Sequence, residues 1–235
     1  MAIPCPQLQN GSRLVVGSTA TATGLESASA ENAAACSDLV EVRLDLLEDP
    51  SSRPWAHLTA LPILFTARRG DEGGAGELNA DQRMQLIQSV LEEASLIDIE
   101  VASILEMPHL LEELTRRDLP WIASFHDFTK LPASGVMEDA AAMALEAGAA
   151  AFKVAAQLEG PDDLARLIEF QQADHGIPVA SMGMGPLAPV SRVQCAHAGS
   201  TLNYGFLGDT PTAPGQWSAA QLKQAIEELD EMSDK

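Results

Sequence analysis

Aromatic and basic residues are both scarce in this chain. Aromatic side chains make up 4% of the 235 residues, and 14 Lys+Arg face 34 Asp+Glu, which gives a formal charge of 14 − 34 = −20. Proteins that bind nucleic acid use a positive field and, on single strands, stacking rings. We therefore expect no nucleic acid among the partners of this protein.

Long apolar runs and cysteine pairs are also missing. No stretch approaches the roughly 20 apolar residues of a membrane span, and residues 1–13 lack the basic region and apolar run of a signal peptide. Cys5, Cys36 and Cys195 are odd in number and widely spaced, which fits neither a disulfide framework nor a CxxC metal site. We expect no membrane partner, reduced thiols and a cytoplasmic location.

What the sequence does have is a repeated pattern of short apolar runs, each followed by a segment with helical spacing. Eight parallel strands covered by helices favour a (β/α)8 TIM barrel over a doubly wound sheet. A barrel of roughly 200–250 residues forms one domain, so we expect residues 1–235 to be a single catalytic barrel domain. The runs cover residues 14–18, 39–45, 62–68, 95–101, 120–127, 149–156, 177–183 and 201–205.

Charged residues alternate along the second run, and barrel enzymes carry their chemistry at the carboxyl ends of the strands. Glu41, Arg43 and Asp45 share one face by the period of two, and this face points inward if the apolar residues between them face the helices. The three side chains then form either an internal ion-pair network or the lining of a polar pocket.

The third and fourth runs carry further charges. Arg68 ends the third run, with Glu72 four residues later, and Asp98 and Glu100 alternate on the fourth. We expect Asp98 and Glu100 to be ion-pair partners of the arginines, because buried charges need partners.

The fifth and sixth runs carry the most informative residues. His126 follows the apolar residues of the fifth run, and Lys153 is the one lysine of the sequence that lies inside an apolar run. Burial lowers the pKa of an amine, which makes it a nucleophile toward a carbonyl group. The alternative is a structural lysine paired with Glu41 or Glu100, and the position of Lys153 alone does not decide between the two.

Arg192 follows the seventh run and completes an inward set of cations with Arg43, Arg68 and Lys153. In a chain of net charge −20, such a set has to supply the local field that attracts an anionic substrate. No His, Cys and carboxylate cluster has the spacing of metal ligands, and no glycine-rich phosphate loop follows the first run. We expect neither a metal nor an organic cofactor.

Six short motifs occur in the order in which one enzyme family has them. On these motifs the chain resembles the type I 3-dehydroquinate dehydratases, the Schiff-base class of an enzyme of the shikimate pathway. The motifs are EVRLD at 41–45, FTARRGDEGG at 65–74, SFHDF at 124–128, FKVA at 152–155, SMG at 181–183 with SR at 191–192, and TAPGQ at 212–216.

The resemblance implies a lyase that converts 3-dehydroquinate into 3-dehydroshikimate and water for aromatic amino-acid biosynthesis. Lys153 resembles the lysine that condenses with the C3 ketone, and His126 resembles the acid and base that moves the C2 proton and protonates the departing C1 hydroxyl. Glu72 resembles the acid that orients this histidine, and Arg192 resembles the clamp for the substrate carboxylate. The groups that resemble those holding the ring hydroxyls and carboxylate are Glu41, Arg43, Arg68, Thr212 and Gln216.

At two places the match between this sequence and the family is less direct. The stretch MGPLAPV at 184–190 looks longer than the usual connection of the family and shapes the approach to Arg192. Near the first strand the family often offers a serine to the substrate, and Gly17 and Ser18 straddle that position. A homodimer is the oligomer we consider.

Two other functions compete with this interpretation. A Schiff-base aldolase on the same barrel would also use a strand lysine but would break a carbon–carbon bond, and the HDF histidine with the TAPGQ loop argues against it. A barrel without catalysis, serving as a binding subunit, has no reason to keep Lys153, His126 and Glu72 together.

Overall fold

The computed structural model describes residues 2–19, 21–58, 60–208, 211 and 215–233, and over these residues strands and helices alternate around one sheet. The strands are β1 Leu14–Thr19, β2 Leu39–Arg43, β3 Ile63–Thr66, β4 Leu96–Glu100, β5 Trp121–Asp127, β6 Ala151–Gln157, β7 Val179–Met184 and β8 Leu202–Phe206. The α-helices are α1 Ala22–Ser27, α2 Ala30–Cys36, α3 Ala80–Gln88, α4 Pro108–Arg116, α5 Ser134–Glu146, α6 Pro161–Gln172, α7 Ala188–His197 and α8 Ala219–Ser233. Over the described ranges, none of these helices has the length and apolar character needed to cross a membrane.

The eight strands form one parallel sheet in the order β7-β6-β5-β4-β3-β2-β1-β8. The two ends of this sheet meet, because the Thr201 amide just before β8 donates to the Val179 carbonyl of β7 at 2.9 Å. The sheet is therefore a nearly closed barrel, and the predicted (β/α)8 fold is confirmed.

The period of two along the strands divides the core into an outer and an inner part. On β2, for example, Val40 and Val42 pack in the cluster between sheet and helices, whereas Leu39 points into the barrel. Cys5 and Leu8, which precede β1, pack against the inner cluster. The inner cluster fills the barrel interior, and the charged side chains gather toward the carboxyl ends of the strands. Its strand residues are Val16, Leu39, Leu64, Leu96, Ile122, Ala151, Ala155, Ala180, Met182, Met184, Leu202 and Tyr204.

The connection between β2 and β3 differs from the expected pattern, because no α-helix follows the second run within the residues described there. Residues 44–62 contain two single turns of 3-10 helix, Leu44–Leu46 and Pro50–Ser52, and Arg53 then takes a left-handed conformation with φ 51°. Prolines at three positions of this segment remove amide donors and prevent a continuous helix. The segment instead buries Trp55 edge-on against Phe65, with ring centroids 5.2 Å apart.

Candidate active site

A cavity of about 190 Å³ opens at the carboxyl ends of the strands, and we call it the central cavity. A larger cleft of about 440 Å³ lies outside the barrel between residues 49–53 and 78–90, and none of the predicted site residues within the described ranges lines it. The central cavity is lined by Ser18, Glu41, Arg43, Arg68, Glu72, Gly73, His126, Phe128, Lys153, Ala155, Met182, Met184, Arg192, Tyr204 and Gln216.

A buried ion network forms the floor of the central cavity. The guanidinium of Arg68 donates to Asp98 Oδ2 at 2.8 Å and to Glu100 Oε1 at 3.2 Å, and all three side chains are almost fully buried. Burial alone would raise the pKa of Asp98, but the cations of Arg68 and Lys153 outweigh it and hold this pKa well below its usual range. The expectation that Asp98 and Glu100 pair with arginine is confirmed.

Lys153 lies in the same network, and its partner is neither of the two carboxylates considered from the sequence. Its Nζ donates to Asp98 Oδ2 at 3.0 Å, and only 4% of the residue is exposed. Burial lowers the pKa of this amine, the Asp98 carboxylate opposes the change, and the Arg68 cation adds to it. A lowered pKa increases the fraction of free amine at neutral pH, which a carbonyl nucleophile requires.

His126 contacts Glu72, the residue that the family resemblance names as its orienting acid. The His126 Nδ1 and its backbone amide both lie 2.9 Å from Glu72 Oε2, so an ionised Glu72 fixes the proton on Nδ1 and leaves Nε2 as the basic nitrogen. Burial and the Arg68 and Lys153 cations lower the pKa of His126 well below its usual value. Burial raises the pKa of Glu72 to about 7, against the opposing effect of Arg68.

The strand register sets the height of His126 above Lys153. Ser124 pairs with Lys153 and His126 pairs with Ala155, so His126 is two residues closer to the cavity mouth. At a rise of about 3.3 Å per residue, the two backbone positions are about 7 Å apart along the barrel. A small substrate between them can contact an amine from below and an imidazole from above.

Glu41 occupies the β2 side of the central cavity and is held by two hydroxyls. Ser18 Oγ donates to Glu41 Oε2 at 2.7 Å, and Thr66 Oγ1 donates to Glu41 Oε1 at 3.0 Å. Ser18 lines the cavity, whereas a Cβ on Gly17 would lie 2.7 Å from the Leu207 side chain on the other side of the strand. Of the two residues considered at β1, Ser18 is the one that faces the cavity.

Arg43 faces the cavity rim, but Asp45 does not share its strand face as predicted. β2 ends at Arg43, and Asp45 lies in the 3-10 turn that follows, where it accepts from Arg43 Nε at 2.9 Å and from the same guanidinium at 2.7 Å. Arg43 also donates to the Gly73 carbonyl at 3.1 Å. Gly73 has φ +86°, and a Cβ there would lie 2.6 Å from the Phe128 ring, which requires glycine.

Arg192 lies in α7, because β7 and one 3-10 turn lead directly into that helix without an extended loop. Its guanidinium donates to the Tyr204 carbonyl at 2.9 Å, and its Nε is buried without a hydrogen-bond partner among the described residues. Burial lowers the pKa of Arg192 to about 10, so the group stays charged at neutral pH. Arg43 and Arg68 each have a carboxylate partner, whereas the described part of the chain places none beside Arg192.

A model of a known protein family matches most of the chain. The family model described as type I 3-dehydroquinase matches residues 15–233. The chain belongs to this family. The resemblance found on the six sequence motifs is thereby confirmed, and so is the predicted assignment as a lyase of the Schiff-base class.

Two curated relatives show how far the similarity to this family extends. The 3-dehydroquinate dehydratase of Ignicoccus hospitalis is 33% identical over 205 residues, which cover 85% of this chain and 88% of the relative. The 3-dehydroquinate dehydratase of Methanothrix thermoacetophila is 31% identical over 192 residues, 80% of each chain.

Solved structures of 3-dehydroquinate dehydratases share the fold. The type I 3-dehydroquinate dehydratase of Clostridium difficile matches with a TM-score of 0.82 at 22% identity, over 95% of this chain and 94% of that chain. The 3-dehydroquinate dehydratase of Enterococcus faecalis matches with a TM-score of 0.79 at 22% identity, over 96% and 98%. At this level of identity the likeness shows the barrel and no more.

The remaining predicted residues of this family member divide into two groups. Gln216 lines the central cavity and is buried, whereas Thr212 lies outside the described residues. Other histidines lie away from the cavity: His57 and His175 bond backbone carbonyls at 2.8 Å, and the side chain of His109 is 85% exposed.

Several cavity residues were not predicted from the sequence. Met182, Met184 and Tyr204 face inward on β7 and β8, and the Phe128 ring stacks on His126 with centroids 6.4 Å apart. The period of two along β7 and β8 places the first three on the inner face, so this signal was available. Across the ranges that the structure describes, no group of three or more His, Cys, Asp or Glu side chains could hold a metal ion.

Proposed function

We propose that this chain dehydrates 3-dehydroquinate to 3-dehydroshikimate through an imine between Lys153 Nζ and the C3 ketone. The observation that carries the proposal is the buried Lys153 amine, 3.0 Å from Asp98, in the same cavity as His126 and Arg192, beside which the described residues place no carboxylate. Membership of the type I 3-dehydroquinase family supports the choice of substrate and reaction.

The lysine makes the proton at C2 acidic enough to remove. Attack of the Lys153 amine on the ketone and loss of water give a protonated imine, and this cation accepts the electron pair that a ketone would stabilise poorly. Loss of the C2 proton then gives a neutral enamine. Asp98 remains beside the nitrogen as its counter-ion throughout, because Arg68 and Ser124 fix the carboxylate in place.

His126 moves the protons. Its Nε2 takes the C2 proton while Nδ1–H stays bonded to Glu72, and the resulting imidazolium gives the proton to the C1 hydroxyl as it leaves. One residue serves as base and then as acid. Hydrolysis of the imine by water releases 3-dehydroshikimate and restores the amine.

The substrate carboxylate is assigned to Arg192. Its Nε–H is buried without a partner among the described residues, and a guanidinium edge gives two parallel charge-assisted hydrogen bonds to a carboxylate. The groups proposed to hold the rest of the ring are Glu41, Arg43, Arg68, Thr212 and Gln216.

We infer that residues 1–235 form one catalytic domain, which the single eight-stranded sheet supports, and that the enzyme works in the cytoplasm, which the three free cysteines support. Sedimentation at several protein concentrations would test the expected homodimer.

A single assay tests the function. The purified chain is mixed with 3-dehydroquinate in buffer containing EDTA, and the absorbance of the conjugated enone of the product is followed. We expect turnover under these conditions because no step needs a metal. Absence of the enone signal with the folded chain, or its recovery only after a divalent ion is added, would contradict the proposed reaction.

The pH profile of kcat/KM should report Glu72. Burial raises the pKa of Glu72 to about 7, so its carboxylate forms as the pH rises through that value. We therefore expect kcat/KM to fall as the pH drops below about 7. Glu72→Gln should flatten this acid limb and lower kcat/KM roughly tenfold, since an orienting partner is lost. Glu77→Gln, on the exposed part of the same loop, is the control. An unchanged acid limb in Glu72→Gln would assign that limb to another group.

Arg192→Lys is expected to raise the KM for 3-dehydroquinate at least tenfold, about 1.4 kcal/mol of lost binding, with a smaller effect on imine formation at saturation. Lysine is a point charge on a flexible stem and cannot make both hydrogen bonds of a guanidinium edge. Moderate salt should partly restore affinity, because it screens the repulsion from an exterior of net charge −20. Steady-state kinetics at two salt concentrations measures both effects.

Arg116→Lys, at a side chain that is 71% exposed, is the matched control for Arg192→Lys. If Arg192→Lys and Arg192→Ala both bind substrate like the parent, the carboxylate is held elsewhere. Arg43 and Arg68 would then be the other arginines of the cavity that could hold it.

A further inference from the structure

Tyr204 presents the face of its ring to the amine of Lys153. The Lys153 Nζ lies 4.4 Å from the ring centroid, within the distance at which the negative face of an aromatic ring attracts a cation. The contact is buried, since 5% of Tyr204 and 4% of Lys153 are exposed. The backbone of the same residue accepts the hydrogen bond from Arg192, so its position is fixed independently of the ring.

The other groups that face Lys153 leave its charge incompletely balanced. Asp98 on β4 is its ion-pair partner, but the same carboxylate oxygen also accepts from Arg68. Arg68 disfavours a second cation at Lys153, and Glu41 on β2 favours it without a direct contact. His126 adds no charge, because burial and the neighbouring cations keep its pKa well below its usual value. The ring of Tyr204 on β8 faces the nitrogen from another strand and is shared with no other cation among the contacts described.

We propose that Tyr204 is a positioning residue, whose ring face holds the Lys153 nitrogen as a cation in the free enzyme and in the protonated imine. The imine half of this inference rests on the proposed function. A second carboxylate beside the Lys153 nitrogen would hold its positive charge more strongly, but a carboxylate could also take the proton that the imine has to keep. A ring face attracts the charge and is not a base.

The ring, rather than the hydroxyl, carries this role. The Tyr204 oxygen is buried without a hydrogen-bond partner among the described residues, and burial together with the Glu41 and Asp98 charges raises the pKa of the phenol well above its usual value. The phenol therefore stays neutral and supplies no charge to Lys153. Tyr204→Phe should consequently leave the pKa of Lys153 where the parent has it.

The pKa of Lys153 can be measured without substrate. The chain has lysine at four positions, 130, 153, 223 and 235, so lysine labelled with ¹³C at Cε gives few NMR signals, and Lys153→Ala identifies the one of interest. We expect Tyr204→Leu to lower the pKa of Lys153 by about one unit relative to Tyr204→Phe. Phenylalanine with one, two or three ring fluorines at position 204 should lower it in steps, because fluorine withdraws charge from the ring face at nearly constant shape.

The fluorinated series decides the question even if Tyr204→Leu fails to fold. A flat series, or a Tyr204→Phe variant as impaired as Tyr204→Leu, would overturn the assignment to the ring. Borohydride trapping with 3-dehydroquinate is then compared across the same proteins, and kcat should fall in the same order while KM changes little. The pKa of Lys153 could fall in steps across the fluorinated series while borohydride traps no imine in the parent enzyme. That result would overturn the proposed function and the imine half of the inference, and would leave the ring–ammonium contact established.

Discussion

Lys153→Ala is expected to lose nearly all dehydratase activity while the protein stays folded. The substitution removes the one nucleophile assigned to the ketone, and removal of a covalent nucleophile lowers kcat by about 10⁴-fold or more in comparable enzymes. The substitution leaves Arg192, the proposed clamp for the substrate carboxylate, in place, so the loss should appear in kcat more than in KM. The measurement is the enone assay together with a thermal melt.

The fold should survive because Asp98 keeps other partners. After the amine is gone, Asp98 still accepts from the Arg68 guanidinium at 2.8 Å and from the Ser124 hydroxyl. No buried carboxylate is left unpaired, which is the usual cause of a large loss when a buried ion pair is broken. Truncation also removes a cation whose own burial was unfavourable, as the lowered pKa of Lys153 indicates.

Covalent trapping assigns the imine to a residue. Borohydride added to enzyme and 3-dehydroquinate should reduce the imine to a stable amine, and peptide mapping should place the added mass on Lys153. Lys130→Ala is the matched control, since Lys130 is exposed in the connection after β5. An adduct on Lys130, or an adduct in the Lys153→Ala protein, would overturn the assignment.

The barrel could be predicted from the sequence because its strands are near-continuous apolar runs with their polar residues confined to alternate positions. The period of two placed Glu41 and Arg43 on the inner face of β2, where the structure has them. It extended that face to Asp45, and here the rule failed because the strand ends first and the chain turns. Where a strand ends depends on hydrogen bonds to neighbouring strands, which a single run does not contain.

The partner of Lys153 shows a second limit of prediction from the sequence. From the sequence, Glu41 and Glu100 were both reasonable partners, because alternation says which residues face the barrel interior but not at what height. The strand register pairs Glu100 with Ser124 and Ser124 with Lys153, but the Lys153 amine donates to Asp98, two residues earlier on β4. The partner of the amine therefore depends on how the side chains pack inside the closed sheet, which the sequence of a single run does not contain.

Arg192 shows a third limit. The two prolines at 186 and 189 suggested a long irregular connection, whereas the structure has a 3-10 turn and then the first turn of α7. Proline is tolerated at the start of a helix, where its missing amide would have no partner. The same residues therefore fit a loop and a helix start, and the tertiary packing of α7 on β7 decides between them.

His126→Ala should separate the proton transfers from the imine chemistry. We expect dehydration to fall by about 10²–10⁴-fold, the usual contribution of general acid–base catalysis. The imine should still form, because the contact between Lys153 Nζ and Asp98 does not involve the imidazole. The variant should therefore give the borohydride adduct but fail to exchange the C2 proton with deuterium from solvent.

The control is His109→Ala, which removes an exposed imidazole and should leave both readouts unchanged. An intact dehydration rate in His126→Ala would remove this residue from the mechanism. Loss of the adduct together with the rate would instead give His126 a part in forming the imine.

Rescue by imidazole then distinguishes proton transfer from a structural effect of the substitution. The truncation leaves space between Glu72 and the Phe128 ring, whose stacking contact with His126 at 6.4 Å is lost. The pKa of His126 lies well below that of free imidazole, so imidazole in solution is the stronger base. Inside the buried site its cation is disfavoured, so the neutral form is the one that binds and accepts the proton. Rescue should therefore grow with the concentration of the neutral form and increase with pH, whereas a variant damaged in its fold would gain nothing from imidazole at any pH.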